Sequence, residues 1–271
     1  MKKIAKIITL ALCLTMLLAL CACGGGTGGA TPTPTSGGTG SGSGESTVLT
    51  DNVLTMGTNA FFPPYEFYQN EKVVGIDAEI AEAIATLMGM EFEIVDMDFD
   101  SLIAAVSTGK IDMAMAGMTV TEDRKLQINF STSYATGIQS IIVPVDSDIA
   151  GIEDLDGKLI GVQFATTGDI YATDDYGEDA VRRFDKGTAA VMELLNGGID
   201  CIIIDNEPAK SFVAANDGLK ILETEYAVEE YAIAIAKDNS EFLEKVDNAL
   251  LELIDGGTVQ AIIDKYIPPE G

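Results

Sequence analysis

The sequence predicts an α/β fold made of two similar halves, each a sheet flanked by helices. Short apolar runs alternate with segments of helical period between about residues 48 and 267, which is the pattern of a sheet covered on both faces. Two stretches also repeat one plan, in which a helix and a glycine are followed by Ile-Asp, an apolar strand and a polar tip. A helical tail follows the second half, and its simplest use is to return to the first half.

The N-terminal residues predict export and a lipid anchor. Three lysines precede an apolar run, 7–20, that is too short for a typical membrane span. We therefore predict a signal peptide over residues 1–22. The end of this segment, Leu20-Cys21-Ala22-Cys23, resembles a lipobox, which is cut before a cysteine that then carries two acyl chains, enough for stable anchoring. Cys23 is the predicted lipidated residue. Cys21 is the rival site, but Leu20 just before it is bulky where the pattern has a small residue.

The composition excludes several classes of function. Residues 23–47 are almost entirely Gly, Ser, Thr, Pro and Ala after the lipidated cysteine, which predicts a flexible linker. The chain has no histidine, so Ser-His-Asp catalysis, Cys-His catalysis and histidine metal sites are excluded. Removing residues 1–22, with three lysines and no acid, changes the net charge from −27 to −30, which argues against nucleic-acid binding. Cys201, the one cysteine of the folded part, is predicted to be a buried, inert thiol.

In the first half, strands are predicted at 53–57, 92–95, 111–116 and 138–143. The run 111–116 is short, apolar and tightly bounded, as in a buried strand. Asp77 and Asp100 are the predicted N-caps of two helices, which end at Gly89 and Gly109. Their inward faces are predicted to carry Ile80, Ile84, Leu87 and Met88 in the first helix, and Leu102, Ile103 and Val106 in the second.

In the second half, strands are predicted at 159–162, 199–204 and 231–236. A helix over 188–196 directs Val191, Leu194 and Leu195 inward, and Pro208 lies in the first turn of another helix. The tail holds a strong helix with Phe242, Val246, Leu250 and Leu253 on its inner face, then a shorter one through Ile262 and Tyr266. If the tail returns to the first half, two strands near 138–144 and 231–236 cross between the halves.

The strand 111–116 is followed by groups that suit a carboxylate. Gly117 leaves the main chain open to a ligand, Thr119 adds a hydroxyl, and Arg124 adds a guanidinium that can make two parallel hydrogen bonds. Ligands of open α/β sheets bind at the carboxyl ends of strands. The alternative is a solvated turn with a surface arginine. The matching tip of the second half presents Asp205, which either meets a ligand or only caps the following helix.

Six segments in order resemble the extracytoplasmic amino-acid-binding proteins of ABC importers, over nearly the whole folded part. They are Phe62-Pro63-Pro64-Tyr65-Glu66-Phe67, Val74-Gly75-Ile76-Asp77, Gly117-Met118-Thr119-Val120-Thr121-Glu122-Asp123-Arg124, Phe130-Ser131 with Tyr134, Ile160-Gly161-Val162-Gln163 leading to Thr166-Thr167-Gly168, and Asp205-Asn206-Glu207. The last two most resemble the branch that binds basic amino acids. The resemblance is to solute-binding protein family 3, and it implies a two-lobed, type II periplasmic-binding-protein fold. Each lobe should be a mainly parallel sheet flanked by helices, with two hinge crossovers and ligand trapped by hinge closure.

The ligand-binding residues implied by this resemblance are Asn59, Phe62, Phe99, Gly117, Thr119, Arg124, Gln163, Thr166, Thr167 and Asp205. Arg124 should hold the α-carboxylate, helped by the backbone N–H groups of Thr119 and Thr167. Asp205 should receive the α-ammonium, together with the Gly117 carbonyl and the Thr119 hydroxyl. Because desolvating both charges of a zwitterion is costly unless each is paired, two such groups on different lobes would make closure depend on ligand.

The same resemblance places Phe62 and Phe99 on either side of the ligand side chain, with Asn59, Gln163 and Glu66 reading its far end. Core packing is the alternative for the two phenylalanines. Asn59 is otherwise a turn former, and Glu66 is otherwise a structural hydrogen-bond partner. Two departures leave the identity of the ligand open: Asn59 stands where many relatives have an acid, and Ala165 stands where glycine is more common.

The implied function is to bind a free amino acid, basic or polar, and deliver it to the membrane subunits of an ABC permease. Lobe one is predicted over 48–140 plus 235–271, and lobe two over 141–234. We expect a monomer on the outer face of the cell membrane, held by its lipid anchor, with no cofactor, metal, catalytic residue or nucleic-acid partner. The alternatives are a sensing module for a separate signalling partner and a dehydratase-like enzyme on the same fold, for which no pair of carboxylates is evident.

Overall fold

The structure, a computed structural model, describes residues 52–223 and 225–269. The predicted signal peptide, Cys23 and the linker lie outside these residues. Strands and helices alternate along the described chain, and helices flank a mixed sheet, which confirms the predicted α/β class. Every helix in the described ranges is too short or too polar to cross a membrane.

The secondary-structure elements have the following bounds. The strands are β1 (Val53–Thr58), β2 (Phe61–Phe62), β3 (Glu66–Gln69), β4 (Lys72–Val74), β5 (Glu91–Asp96), β6 (Met113–Ala114), β7 (Ile128–Pro144), β8 (Ile160–Gln163), β9 (Val181–Phe184), β10 (Cys201–Asp205), β11 (Leu219–Ile221) and β12 (Ala227–Ala236). The helices are α1 (Ile76–Met88), α2 (Leu102–Ser107), α3 (Glu122–Gln127), α4 (Thr167–Tyr176), α5 (Gly187–Leu195), α6 (Asn206–Ala215), α7 (Ser240–Asp255) and α8 (Thr258–Tyr266).

One sheet carries both halves of the fold. Its strand order is β5-β1-β6-β12-β7-β10-β8-β9, with β11 beside β7. At one end β5, β1 and β6 are parallel, and at the other end β10, β8 and β9 are parallel. Between them lie β7 and β12, an antiparallel pair of long strands that pairs with both ends. A small antiparallel sheet, β2-β3-β4, follows β1 in the chain.

The buried apolar side chains divide between the two ends of the sheet. Two clusters draw their members from residues 54–134 and 231–259, and two others draw theirs from residues 141–222. The inner face of α7 belongs to the first group, since Phe242 and Leu250 pack there with the core of α1. Cys201 is buried in the second group, and this burial raises the pKa of its thiol to about 12, as an inert cysteine requires.

Several predicted helix details are wrong. Gly75 precedes α1, and Asp77 lies inside the first turn, where its buried carboxylate accepts hydrogen bonds from other segments instead of capping the helix. Asp100 lies in a 3-10 turn ahead of α2 and makes no cap. Leu87 and Leu195 are 45% and 44% exposed, although both were expected to face inward. Gly89 does end α1 in the left-handed conformation, as predicted.

The strand lengths also differ from the prediction. All of 111–116 is buried, but only Met113–Ala114 pairs as a strand, since β6 shares two residues with β1 and two with β12. In contrast, β7 and β12 extend well beyond the predicted 138–143 and 231–236. The small sheet β2-β3-β4 had no counterpart in the prediction.

Candidate functional site

A small cavity lies where the two groups of core clusters meet. Its walls contain every residue that the sequence analysis assigned to the ligand: Asn59, Phe62, Phe99, Gly117, Thr119, Arg124, Gln163, Thr166, Thr167 and Asp205. Glu66 lines it as well. The structure therefore brings the predicted residues together, while the contact that each would make with a ligand stays a prediction.

Arg124 is a buried cation whose charge has few partners. It lies in α3 and is 5% exposed. Its two terminal nitrogens donate to the carbonyls of Thr119, at 2.8 Å, and Ala165, at 3.0 Å. Its guanidinium carbon lies 5.3 Å from the centre of the Phe99 ring. None of the ion pairs among the described residues includes it, and burial lowers its pKa, so a carboxylate entering the cavity would be strongly favoured.

Asp205 is the buried anion of the same cavity. It ends β10, is 1% exposed and accepts hydrogen bonds from the Glu207 N–H at 3.0 Å, the Ile138 N–H at 3.1 Å and the Tyr231 hydroxyl at 2.5 Å. Burial raises the pKa of this carboxyl to about 7 despite the three donors. Asp205 caps α6 and also lines the cavity, so the cap is confirmed while its contact with a ligand stays a prediction.

Gly117 has a main-chain conformation and a neighbour that exclude a side chain. Its φ is +53°, and a Cβ atom there would lie 2.8 Å from Cε1 of Phe62. Its N–H donates to Oδ2 of Asp77 at 2.9 Å, which fixes the peptide beside the cavity. Glycine is needed here for both the left-handed backbone and the close approach of the aromatic ring.

Thr119 and Thr167 approach each other across the cavity. Their hydroxyl oxygens are 3.4 Å apart, although one follows β6 and the other begins α4. The N–H of Thr167 belongs to the first turn of α4 and so has no acceptor within that helix. A carboxylate held by Arg124 could accept from this N–H, which also lies at the positive end of the helix dipole.

Thr166 lines the cavity, but its hydroxyl already has two partners. It accepts from the Asp169 N–H at 3.3 Å as the N-cap of α4, and it donates to the Gln163 carbonyl at 2.8 Å. Ala165, just before it, has a φ of +62°, a conformation that favours glycine. The Asp169 carboxylate accepts from the Ala165 N–H at 3.0 Å and holds this turn in place.

Asn59 and Gln163 meet at another wall of the cavity. The Gln163 side-chain amide donates to Oδ1 of Asn59 at 3.0 Å, and the Asn59 amide donates to the Met97 carbonyl at 2.9 Å. Both residues are buried, at 2% and 4% exposed. Asn59 lies in the turn after β1 and Gln163 lies in β8, so this hydrogen bond joins the two halves. A ligand side chain that reaches this wall would meet amide groups that can donate or accept.

Aromatic rings form one side of the cavity. Phe62 stacks on Tyr65 with ring centres 5.9 Å apart, and Tyr65 and Tyr231 meet edge to face with ring centres 5.3 Å apart. Phe62 is only partly buried and Phe99 is 9% exposed. Both therefore pack with the core and still present ring surface to the cavity, which can attract a cationic side chain.

Glu66 and Asp77 are two buried carboxyl groups next to the cavity wall. Both are 0% exposed. Burial, the charge of Asp77 and a hydrogen bond between the two side chains raise the pKa of Glu66 well above its usual range, which favours its uncharged form. Burial raises the pKa of Asp77 to about 6, because the donors Gly117 and Tyr134 offset it only in part.

The sequence analysis missed four residues that line the cavity, Ala116, Gln139, Ile204 and Tyr231, and one carboxylate behind it, Glu229. A signal for Glu229 and Tyr231 is present in β12. Burial alternates there from Val228 to Tyr231, so that Val228 and Glu230 face out while Glu229 and Tyr231 face in. A charged residue on the inward face of an alternating strand is a candidate for a functional role.

Comparison with known proteins gives a consistent result. A sequence model of the bacterial extracellular solute-binding proteins, family 3, matches residues 54–269. The arginine-binding extracellular protein ArtP of Bacillus subtilis (strain 168) is 34% identical over 221 residues, which is 80% of this chain and 87% of that protein.

Solved structures agree with this match. An ancestral arginine-binding protein bound to glutamine is 40% identical, with a TM-score of 0.76 over 80% of this chain and 99% of that one. The arginine-, lysine-, histidine-binding protein ArtJ of Geobacillus stearothermophilus is 36% identical, with a TM-score of 0.76 over 80% of this chain and 96% of that one. These are two-lobed proteins, and the predicted two-lobed architecture is confirmed.

Proposed function

Because this chain belongs to family 3 of the bacterial extracellular solute-binding proteins, we propose that it binds a free amino acid with a cationic side chain and delivers it to an ABC permease. The observation that carries this proposal is the pair of opposite charges in one cavity. Arg124 and Asp205 are 5% and 1% exposed, come from different halves of the fold, and line the same space. A zwitterionic α-carbon with its carboxylate on one and its ammonium on the other satisfies both.

The excess of acid around the cavity favours a cationic side chain. Three carboxyl groups, those of Asp77, Asp205 and Glu229, are buried at or next to the cavity, against the one guanidinium of Arg124. Glu66 is left out of this count because its burial favours the uncharged form. A zwitterion adds no net charge, whereas arginine or lysine adds one positive charge to a region that lacks it. The ring faces of Phe62 and Phe99 suit such a side chain, and the Asn59–Gln163 pair would receive its polar end.

Ligand capture proceeds by closure of the two lobes. The groups that meet the ligand come from both halves, and Arg124, Thr119 and Gln163 already bridge them by hydrogen bonds. The lobes are proposed over 48–140 plus 235–271 and over 141–234. Tyr231 and Ile233 pack with the core of lobe one, which favours a return crossing a few residues before 235. We propose a hinge closure of this kind, in which ligand stabilises the closed state.

The protein is proposed to act outside the cytoplasmic membrane as a lipid-anchored monomer, in line with the extracellular family to which it belongs. The anchor on Cys23, the signal peptide and the linker to residue 47 rest on the sequence alone. A purely binding role, without catalysis, is part of the proposal, since the relatives are named for what they bind.

Calorimetric titration of the purified protein tests the proposal. L-arginine and L-lysine should bind with a dissociation constant in the micromolar range or lower, about −8 kcal/mol or more favourable. L-glutamine should bind more weakly. Arg124→Met should abolish binding, and Arg182→Met, at an exposed position outside the cavity, should leave it unchanged. Tighter binding of glutamine would refute the preference for a cation, and no heat with any amino acid would refute the function.

A further inference from the structure

Glu229 is a buried carboxylate behind the cavity wall, and its neighbours suggest a role. It lies in β12, one of the two strands that join the halves, and is 3% exposed. Its Oε2 accepts hydrogen bonds from the Thr119 hydroxyl at 3.0 Å and from the side-chain amide of Gln139, also at 3.0 Å. Both donors line the cavity, whereas Glu229 does not. The Tyr171 hydroxyl is a further neighbour of this carboxylate, and burial together with Glu229 raises the pKa of that tyrosine to about 12.

These two hydrogen bonds fix what Gln139 can offer a ligand. A carboxylate accepts only, so the amide nitrogen of Gln139 must be the atom that points to Glu229. Its Oε1 atom is then turned away from Glu229, and this oxygen is buried without a partner in the described part of the chain. It lies close to Gly168, near the N-terminus of α4, because a Cβ on that glycine would be 3.0 Å away. Gln139 therefore lines the cavity with a side chain whose oxygen has no hydrogen-bond partner in the described part of the chain.

The same argument applies to Thr119. Its single hydroxyl proton is used toward Glu229, so its oxygen can only accept from anything in the cavity. In the absence of ligand, the Thr167 hydroxyl at 3.4 Å is the available donor. The two groups that contact Glu229 thus both present lone pairs, on the same side as the buried Asp205 carboxylate.

We propose that Glu229 is a positioning residue that makes Thr119 and Gln139 acceptors and thereby gives the cavity its selectivity for a ligand with an α-ammonium group. The three N–H donors of the ammonium group can be shared among Asp205, the Gly117 carbonyl, the Thr119 oxygen and Oε1 of Gln139. Glu229 acts through these neighbours and does not contact the ligand. The inference rests on the proposed function, because it assumes that the cavity holds an amino acid.

The test compares two ligands that differ only in the α-amino group, L-arginine and 5-guanidinopentanoate, by calorimetric titration of the purified protein. The quantity measured is the dissociation constant of 5-guanidinopentanoate divided by that of L-arginine. Glu229→Met removes the acceptor of both hydrogen bonds, so the Thr119 hydroxyl and the Gln139 amide can each turn a donor to the ammonium. The ratio should fall at least about tenfold, as expected for losing one hydrogen bond to a charged group. Glu230→Met makes the same change one residue along β12, on its exposed face, and should leave the ratio unchanged.

Gln139→Met carries the same test if Glu229→Met does not fold. It removes one acceptor directly and should lower the ratio while leaving the binding of 5-guanidinopentanoate close to that of the wild type. If the wild-type protein binds arginine, an unaltered ratio in both Glu229→Met and Gln139→Met, or an equal fall in Glu230→Met, would overturn the role of Glu229 and leave the proposed function in place. A wild-type protein that binds neither ligand would overturn the proposed function and this inference with it.

Discussion

Replacing Asp205 by asparagine should stabilise the ligand-free protein at alkaline pH and weaken its binding of ligand. The pKa of Asp205 is about 7 in the folded protein against an ordinary value of 3.8, because the carboxyl is buried. A raised pKa means that the stability contributed by the protonated form is fully present below about pH 3.8 and is lost as the pH rises through 7. Each unit of pKa corresponds to 1.36 kcal/mol, so the difference between 3.8 and about 7 means that ionisation of Asp205 costs the folded state on the order of 4 kcal/mol.

Asparagine does not ionise, so the Asp205→Asn variant avoids this cost. It also loses acceptor capacity toward the Ile138 N–H and the Tyr231 hydroxyl, which costs about 1–3 kcal/mol at every pH. Above neutrality the avoided cost of ionisation exceeds this loss of hydrogen bonding. The variant should therefore be less stable than the wild type at pH 4 and more stable at pH 8, and its relative stability should rise by about 4 kcal/mol between them.

Urea unfolding of ligand-free protein from pH 4 to pH 8, with Asp217→Asn as an exposed control in the same half, measures this difference. Arginine titration at pH 8 measures the second effect, a loss of about tenfold to a hundredfold in affinity as one charged partner of the ammonium disappears. A stability difference that stays constant with pH, within about 1 kcal/mol, would refute the assigned electrostatics of Asp205. Unchanged affinity would refute its contact with the ligand.

Three further predictions concern the cavity wall and the anchor. Gly117→Ala should lower the affinity for arginine at least tenfold in calorimetry, since its φ is +53° and its Cβ would lie 2.8 Å from Phe62; Gly197→Ala, with a φ of +74° and open space around it, should leave affinity intact. Asn59→Asp should raise the preference for arginine over glutamine about tenfold in the same assay, because it places a carboxylate at the wall that receives the ligand side chain. An unchanged preference would mean that the ligand side chain lies elsewhere. Cys23→Ser should abolish incorporation of labelled fatty acid and release the protein from membranes, and continued labelling would point to Cys21 instead.

The sequence predicts the parts of this fold that local patterns determine. The inner face of α7 follows from its helical period, and the end of α1 follows from a glycine that adopts the left-handed conformation. The caps failed where tertiary contacts took over. Asp77 resembles a helix cap in sequence, but the Gly117 N–H and the Tyr134 hydroxyl, both distant in sequence, occupy one of its oxygens.

The site was predictable only in part for the same reason. Arg124, Gly117 and Asp205 stand at the polar ends of apolar segments, where a sequence pattern is visible. In contrast, Gln139 lies within the long strand β7, and Glu229 has significance only through the partners that its carboxylate meets. The two strands that cross between the lobes, β7 and β12, bring those partners together, and no local sequence pattern predicts this contact.

A crystal structure of the protein with L-arginine tests the central claim most directly. The account predicts the ligand in the cavity between the lobes, its α-carboxylate within hydrogen-bonding distance of the Arg124 guanidinium, and its α-ammonium within that distance of Asp205. A ligand bound elsewhere, or bound here with the two ends exchanged, would contradict it.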